Sequence, residues 1–356
     1  MNKNILAAAV LATCAGAASA QSGVTIYGIV DAGVVHERGG FAGSTSKLSS
    51  GVGSYSRLGF RGTEDLGGGV SAIFNLESGF RIDTGEIDST GTLFNRQAYV
   101  GLKSPMGTLT IGRQFTPWHN ALLQVGDPFG TGFAGTSKNL FPDWGTNVRA
   151  SNTLMYTAPP TMGITGELMY SAGEQFGSAS AGRQTGASVG YTVGALNLRL
   201  AYNNRNSTLG VTPELRGVGT NKLLAANYDF GVVKAYVAYS VDKGNNSAPL
   251  GTATNAFDRL PVTSSTDGNE VLLGVTAPIG TGTLMASVMR KNDKTVFNQD
   301  ARAWGVGYLY PLSKRTSLYT AYGSIDNKNG AGYTVANNTE AGTGDRAFNL
   351  GVRHAF

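Results

Sequence analysis

Apolar and polar side chains alternate with a period of two along most of this chain. In the closing stretch 346–356, Phe348, Leu350, Val352, His354 and Phe356 fall on one side of an extended strand, and Asn349, Gly351, Arg353 and Ala355 on the other. Within 232–241, Val233, Ala235, Val237, Tyr239 and Val241 alternate with Lys234, Tyr236 and Ser240. Leu58 and Phe60 alternate with Arg57, Gly59 and Arg61, and Phe74 and Leu76 oppose Asn75 and Glu77. The charges keep to one face. A charge on a lipid-facing wall at mid-bilayer costs roughly 2–4 kcal/mol, so a membrane strand has reason to segregate them this way. In 96–102 the pattern is less clean, because Arg96 shares parity with Val100 and Leu102. Either the inner wall is partly apolar there or a bulge resets the phase.

About sixteen such segments run from 24–31 to 346–356, each near the ~10 residues of a membrane β-strand. The connections between them alternate in length. Short ones lie at 66–69, 105–107, 159–163, 194–195, 229–231, 278–282 and 311–315. Long ones lie at 38–54, 82–94, 116–149, 172–183, 204–220, 242–268, 291–300 and 324–345, rich in Gly, Ser, Thr and Asn as a solvated outer surface requires. Short turns on one rim and long loops on the other predict an all-β fold, a transmembrane antiparallel β-barrel of about sixteen strands with periplasmic turns and extracellular loops. A strand ending on Phe356 fits, because that ring can face lipid near the interface while the strand closes against the first one.

The first residues agree. Lys3, the apolar run 5–11 and the small-residue site Ala18-Ser19-Ala20 predict a secretory signal peptide over 1–20, leaving 21–356 as one barrel domain. A lipoprotein box at Leu11–Cys14 competes with this, but Thr13 is a poor residue before such a cysteine. Cleavage after Ala20 removes one lysine, leaving 27 basic against 23 acidic side chains, a balance of +4. It also removes Cys14, the only cysteine, which excludes thiol catalysis and disulfides in the mature chain. Mean hydropathy near zero fits a wall whose two faces cancel, and the 51 glycines argue against a helical fold. Basic residues form no tract, so a nucleic-acid partner is not expected. His36, His119 and His354 stand in separate segments and make no metal-ligand spacing. No nucleophile or phosphate-binding motif is present, so no catalytic residue, metal or cofactor is expected.

Several stretches together resemble the general, non-specific porins of the Gram-negative outer membrane, of the β-proteobacterial type. They are 24–33, 56–69 (Ser-Arg-Leu-Gly-Phe-Arg-Gly-Thr-Glu-Asp-Leu-Gly-Gly-Gly), 75–79, 96–102, 111–114 and the ending Val352-Arg-His-Ala-Phe356. The resemblance covers nearly the whole mature chain. It implies a homotrimer set among outer-membrane lipids and lipopolysaccharide, carrying small hydrophilic solutes and ions by passive diffusion. It also implies that the third long loop, 117–147, folds into the lumen, where a ladder of arginines faces loop acids. Matched by motif, Arg57, Arg96 and Arg149 take the ladder positions and Asp127 the loop-acid position, with Asp143 the other acid in the loop. Asp127-Pro128-Phe129 departs from the Pro-Glu-Phe order common in the family. Arg61 and Glu77, on the polar face, are further pore-lining candidates, and Phe356 is the expected signal for the outer-membrane assembly machinery. A substrate-specific channel, a barrel enzyme and an adhesin remain the alternatives.

Overall fold

The computed structural model describes residues 23–41, 43–208, 217–249, 257 and 262–356. The expected signal peptide, with Cys14, lies outside them. Among the described residues there are seventeen strands: β1 Gly23–Gly40, β2 Gly43–Ser50, β3 Arg57–Gly67, β4 Val70–Gly79, β5 Gln97–Ser104, β6 Gly107–Phe115, β7 Arg149–Thr157, β8 Ile164–Ser171, β9 Gln184–Val193, β10 Leu196–Asn206, β11 Val218–Asp229, β12 Lys234–Lys243, β13 Asp267–Ile279, β14 Gly282–Asp293, β15 Ala301–Pro311, β16 Thr316–Asn327 and β17 Arg346–Ala355.

Each strand pairs antiparallel with its neighbours, and β17 returns to β1 with Ala355 opposite Ile29 and Arg346 opposite Arg38. The seam continues as reciprocal 3.1 Å bonds between the backbones of Gly28 and Phe356. The lower part of β1 pairs with β3 and the upper part with β2. β2 and β3 are therefore two pieces of one wall strand interrupted at 51–56, and the barrel has sixteen staves. Closure leaves no sheet edge, which a bilayer would not tolerate.

The wall faces follow the alternation. Ile26, Val100, Leu168, Leu273, Val288 and Leu350 are exposed on the outside, where lipid covers them. Asn75, Glu77, Asn221, Ser240 and Glu270 point inward and are buried. The parity conflict at Arg96 resolves locally. Arg96 precedes β5 and is not bound by its pleat, so both it and Gln97 meet Glu77.

Two loop expectations are corrected. The segment 38–54 is mostly a hairpin: β1 extends to Gly40 and β2 returns from Gly43, held by His36 Nδ1 and Ser46 Oγ at 2.8 Å and by Lys47 at 3.1 Å from Glu37. The last long loop, 328–345, is not a solvated outer surface. Tyr333, Val335 and Ala336 are buried in the lumen, because Asn139 Oδ1 accepts the Ala336 N–H at 2.8 Å and Asn338 Nδ2 donates to the Thr131 carbonyl at 2.8 Å.

The third long loop fills one side of the lumen. Thr116 caps the short helix α1 (Pro117–Ala121), accepting the His119 N–H at 3.1 Å, with Pro117 at the first turn. Leu122, Val125, Phe129, Phe133, Leu140 and Phe141 are buried against Ala225, Ala238, Leu272, Ala303 and Tyr319 of the wall. Small inward residues let the loop lie close. A Cβ at Gly305 would stand 2.3 Å from the Gly135 Cα, and one at Gly323 would stand 2.2 Å from the Ala134 carbonyl oxygen. The loop presses on β8–β16, and the inner face of β3–β7 is left to line the passage.

Candidate functional site

Three arginines from different staves converge on that opposite face. Arg57 opens β3, Arg96 stands just before β5 and Arg149 opens β7. Glu77 of β4 lies between the first two. Its carboxylate is 2.7 Å from Arg96 Nε and 3.4 Å from Arg57 Nε, and it also accepts the Tyr27 hydroxyl at 3.0 Å. Arg96 and Arg149 are joined through aromatic faces. Their guanidinium carbons stand 4.4 Å and 5.3 Å from the Tyr55 ring centre and 5.9 Å and 4.7 Å from that of Phe115. Such stacking holds the planar groups in place without neutralising them. Arg96 Nη1 and Arg149 Nε find no hydrogen-bond acceptor among the described residues, so the cluster holds more donors than Glu77 satisfies.

The interruption at 51–56 supplies Tyr55. Asp31 shapes it, accepting the Ser54 N–H at 2.8 Å, the Gly53 N–H at 3.2 Å and the Tyr319 hydroxyl at 2.7 Å. The exposed backbone of the interruption then grips both inward loops. The Val52 carbonyl accepts Phe133 N–H at 2.9 Å and Asn338 N–H at 3.2 Å.

The structure places Asp127 differently from the sequence expectation. Its carboxylate does not face the arginines. It turns back into the loop and accepts N–H groups of Phe129 at 2.8 Å, Thr131 at 3.1 Å and Ser137 at 2.8 Å, at 4% exposure. Burial pushes its pKa up, opposed by these bonds. The physical reason is local: residues 127–137 make a tight double turn whose inward N–H groups need an acceptor. Asp143 is likewise engaged, at 2.6 Å from His119 Nδ1 and 3.8 Å from Lys138 Nζ. Burial would raise its pKa, but the charges of His119 and Lys138 outweigh that and hold it low. Burial lowers the pKa of His119. Both carboxylates of the third loop thus serve its internal structure.

The remaining candidates separate. Arg61 lies over the Tyr27 ring at 5.1 Å and lines a recess of about 800 Å³ with Asn75, Gln97, Tyr99 and Lys103, beside the cluster rather than in it. Glu77 belongs to the cluster itself. Phe356 sits at the seam, 45% exposed, on the outer face. Sequence reasoning missed Tyr55, Phe115 and Arg353. Arg353 lies opposite Asp31 in register and acts electrostatically on both Asp31 and Arg57. Its inward parity was the available signal. The histidines remain apart, in contact with Ser46, Asp143 and Thr316 respectively.

Residues 7–330 match the family model described as Gram-negative porin. An outer membrane porin protein of Bordetella pertussis is 34% identical over 401 residues, covering all of both chains. Outer membrane porin protein 32 of Delftia acidovorans is 31% identical over 376 residues, again covering all of both. Among solved structures, an anion-selective porin from Comamonas acidovorans superposes with a TM-score of 0.78 at 29% identity, over 94% of this chain and 100% of that one. An OmpF from Salmonella typhi shares the fold at a TM-score of 0.68 and 15% identity, over 94% of this chain and 97% of that one.

Proposed function

The chain belongs to the Gram-negative porin family, and from that premise we propose which of its groups set the selectivity of the pore. It is an outer-membrane barrel that forms a water-filled channel for passive diffusion of small hydrophilic solutes and ions. No energy source or chemical step enters. We infer that Arg57, Arg96 and Arg149 form the charged wall of the constriction, with Glu77 their only carboxylate among the described residues, and the third loop the opposite wall.

One observation carries this reading: three guanidinium groups gather around a single carboxylate while both loop acids are committed elsewhere. The constriction then carries an excess of about two positive charges, and low-dielectric walls focus that field on the passage. Anions are therefore favoured at low salt. The preference fades as ions screen the charges over about 10 Å at 0.1 M. The similar porin described as anion-selective supports the sign. Asp31 adds little to the passage, being bound by Gly53, Ser54 and Tyr319.

The test is the reversal potential of single channels in a salt gradient, for the parent and for Arg57→Ala and Arg149→Ala. Each substitution moves the potential toward cation preference. Unchanged selectivity in both sinks the arginine wall.

Three further parts of the reading rest on the family. Residues 1–20 are removed on export, the barrel assembles as a homotrimer, and the assembly machinery reads the terminal aromatic. For the trimer, the outward surface of β1 and β17 around Gly28–Val34 is the proposed contact. A single barrel in mild detergent that keeps full conductance would count against it.

A further inference from the structure

Beyond the pore, the outer wall carries a feature that the channel does not use. Arg290 of β14 and Arg302 of β15 are direct cross-strand partners, and both are exposed on the lipid-facing side. Like charges directly opposite one another on a sheet destabilise it. Neither arginine has an ion-pair partner among the described residues. Asp326, opposite Arg302 on the next strand, is already bound to Lys328 at 2.7 Å. Two staves further on, Arg346 of β17 and Arg38 of β1 repeat the arrangement, with Asp345 3.6 Å from Arg346.

These positions have a defined height. Arg302 lies eight residues above Tyr310 on the same outward face, both exposed. At a rise of ~3.4 Å per residue and a tilt of ~40°, that spans roughly 20 Å of the ~25 Å apolar band. The arginines thus stand at the long-loop edge, at headgroup level of the outer leaflet. Beneath them Val288 and Trp304 are exposed, and the Trp304 ring is 5.5 Å from that of Tyr322. At the other edge the outward strand positions Tyr310, Leu318 and Phe356 carry no charge. Along β14 to β17 the outward arginines of the strands stand at the long-loop edge, and the basic residues of the opposite rim, Lys314 and Arg315, lie in a turn.

We propose that Arg290 and Arg302 form a docking site for a lipid A phosphate of lipopolysaccharide, with its acyl chains lying on Val288 and Trp304. The inference rests on the outer-membrane reading and names a site within it. Two guanidinium groups side by side present paired N–H donors to one phosphate, the geometry arginine serves best. The bound phosphate also removes the repulsion that the bare pair suffers. A permeating solute is excluded, since both side chains face away from the lumen.

The experiment uses the full refolded barrel in detergent micelles, with diphosphoryl lipid A as probe and retention read by native mass spectrometry. The parent binds it. The same lipid stripped of both phosphates is held far more weakly, a comparison that needs no variant. The double substitution R290Q and R302Q weakens diphosphoryl lipid A about thirtyfold, two charges at the usual value each. A second double substitution, K314Q and R315Q in a turn at the opposite rim, leaves binding unchanged. Single-channel conductance stays at the parent level throughout, which separates failure of this site from failure of the channel. Equal retention of the dephosphorylated lipid, or of phosphatidylglycerol, overturns the proposal. So does loss of the trimer in the arginine variant with lipid A binding intact, which would make the pair an interface between copies.

Discussion

Replacing Glu77 by glutamine removes the single carboxylate from the arginine cluster while keeping its shape and a carbonyl acceptor for Arg96. The excess positive charge then rises from about two to about three units. An ion passing about 7 Å away feels about 0.6 kcal/mol from one unit charge through water, and screening at 0.1 M leaves about half. Anions gain and cations lose about 0.3 kcal/mol each, so the anion-to-cation permeability ratio rises about threefold. The assay is reversal potential across a planar bilayer holding a tenfold salt gradient, repeated at 1 M, where the difference shrinks. Asp127→Asn serves as the counterpart. Its carboxylate is enclosed by the N–H groups of Phe129, Thr131 and Ser137, so it moves selectivity far less. If Asp127→Asn shifts the ratio and Glu77→Gln does not, the charge assignment is refuted and the loop acid faces the passage after all.

Gly323→Ala places a carbon 2.2 Å from the Ala134 carbonyl oxygen, so the third loop must retreat by about 1 Å. Single-channel conductance changes with the sign of selectivity intact, and unaltered conductance would show that the loop does not set the width. Acidification below about pH 6.5 loosens the loop through His119. Its pKa is lowered in the folded state, so the unfolded loop takes up protons first and docking weakens as pH falls. The groups facing it are Asp143, Lys138 and Arg149. Open-channel current noise therefore rises between pH 7 and 5 in the parent and stays flat in His119→Gln. Deleting Phe356 removes the reciprocal bonds to Gly28 and the ring at the seam, and the amount of heat-modifiable folded barrel in the membrane falls. Undiminished folded protein would exclude a role in assembly.

The wall was legible because a barrel forces every strand to declare two faces. Val237 and Tyr239 against Ser240, or Leu76 against Glu77, need no knowledge of partners. Arg57 and Glu77 could be placed inward for the same reason. Arg96 could not, because it stands one residue before the ladder where the pleat no longer governs direction. The hairpin of β1 and β2 was obscured by Gly39, Gly40 and a serine-rich return, which read as loop chemistry. The interior of the lumen was harder still. Tyr333 and Val335 are buried in a cluster that takes in the third loop and the barrel wall, and polar composition alone made their loop look solvated. Asp127 shows the sharpest limit. Its partners are backbone N–H groups, which every residue but proline supplies, so nothing in the side-chain spelling marks the carboxylate as taken.

The break in the second stave at 51–56 has a meaning of its own. A perfect cylinder of paired strands is chemically mute toward its contents, since each main-chain donor and acceptor already answers a neighbour. By forgoing one stretch of pairing, this wall regains a voice: the Val52 carbonyl speaks to Phe133 and Asn338 at once. That dialogue is written in peptide groups, so drift in side chains cannot easily erase it. Two segments from opposite halves of the chain are thereby fixed to one point, and pore-lining side chains can diverge for different solutes while the aperture keeps its anchor.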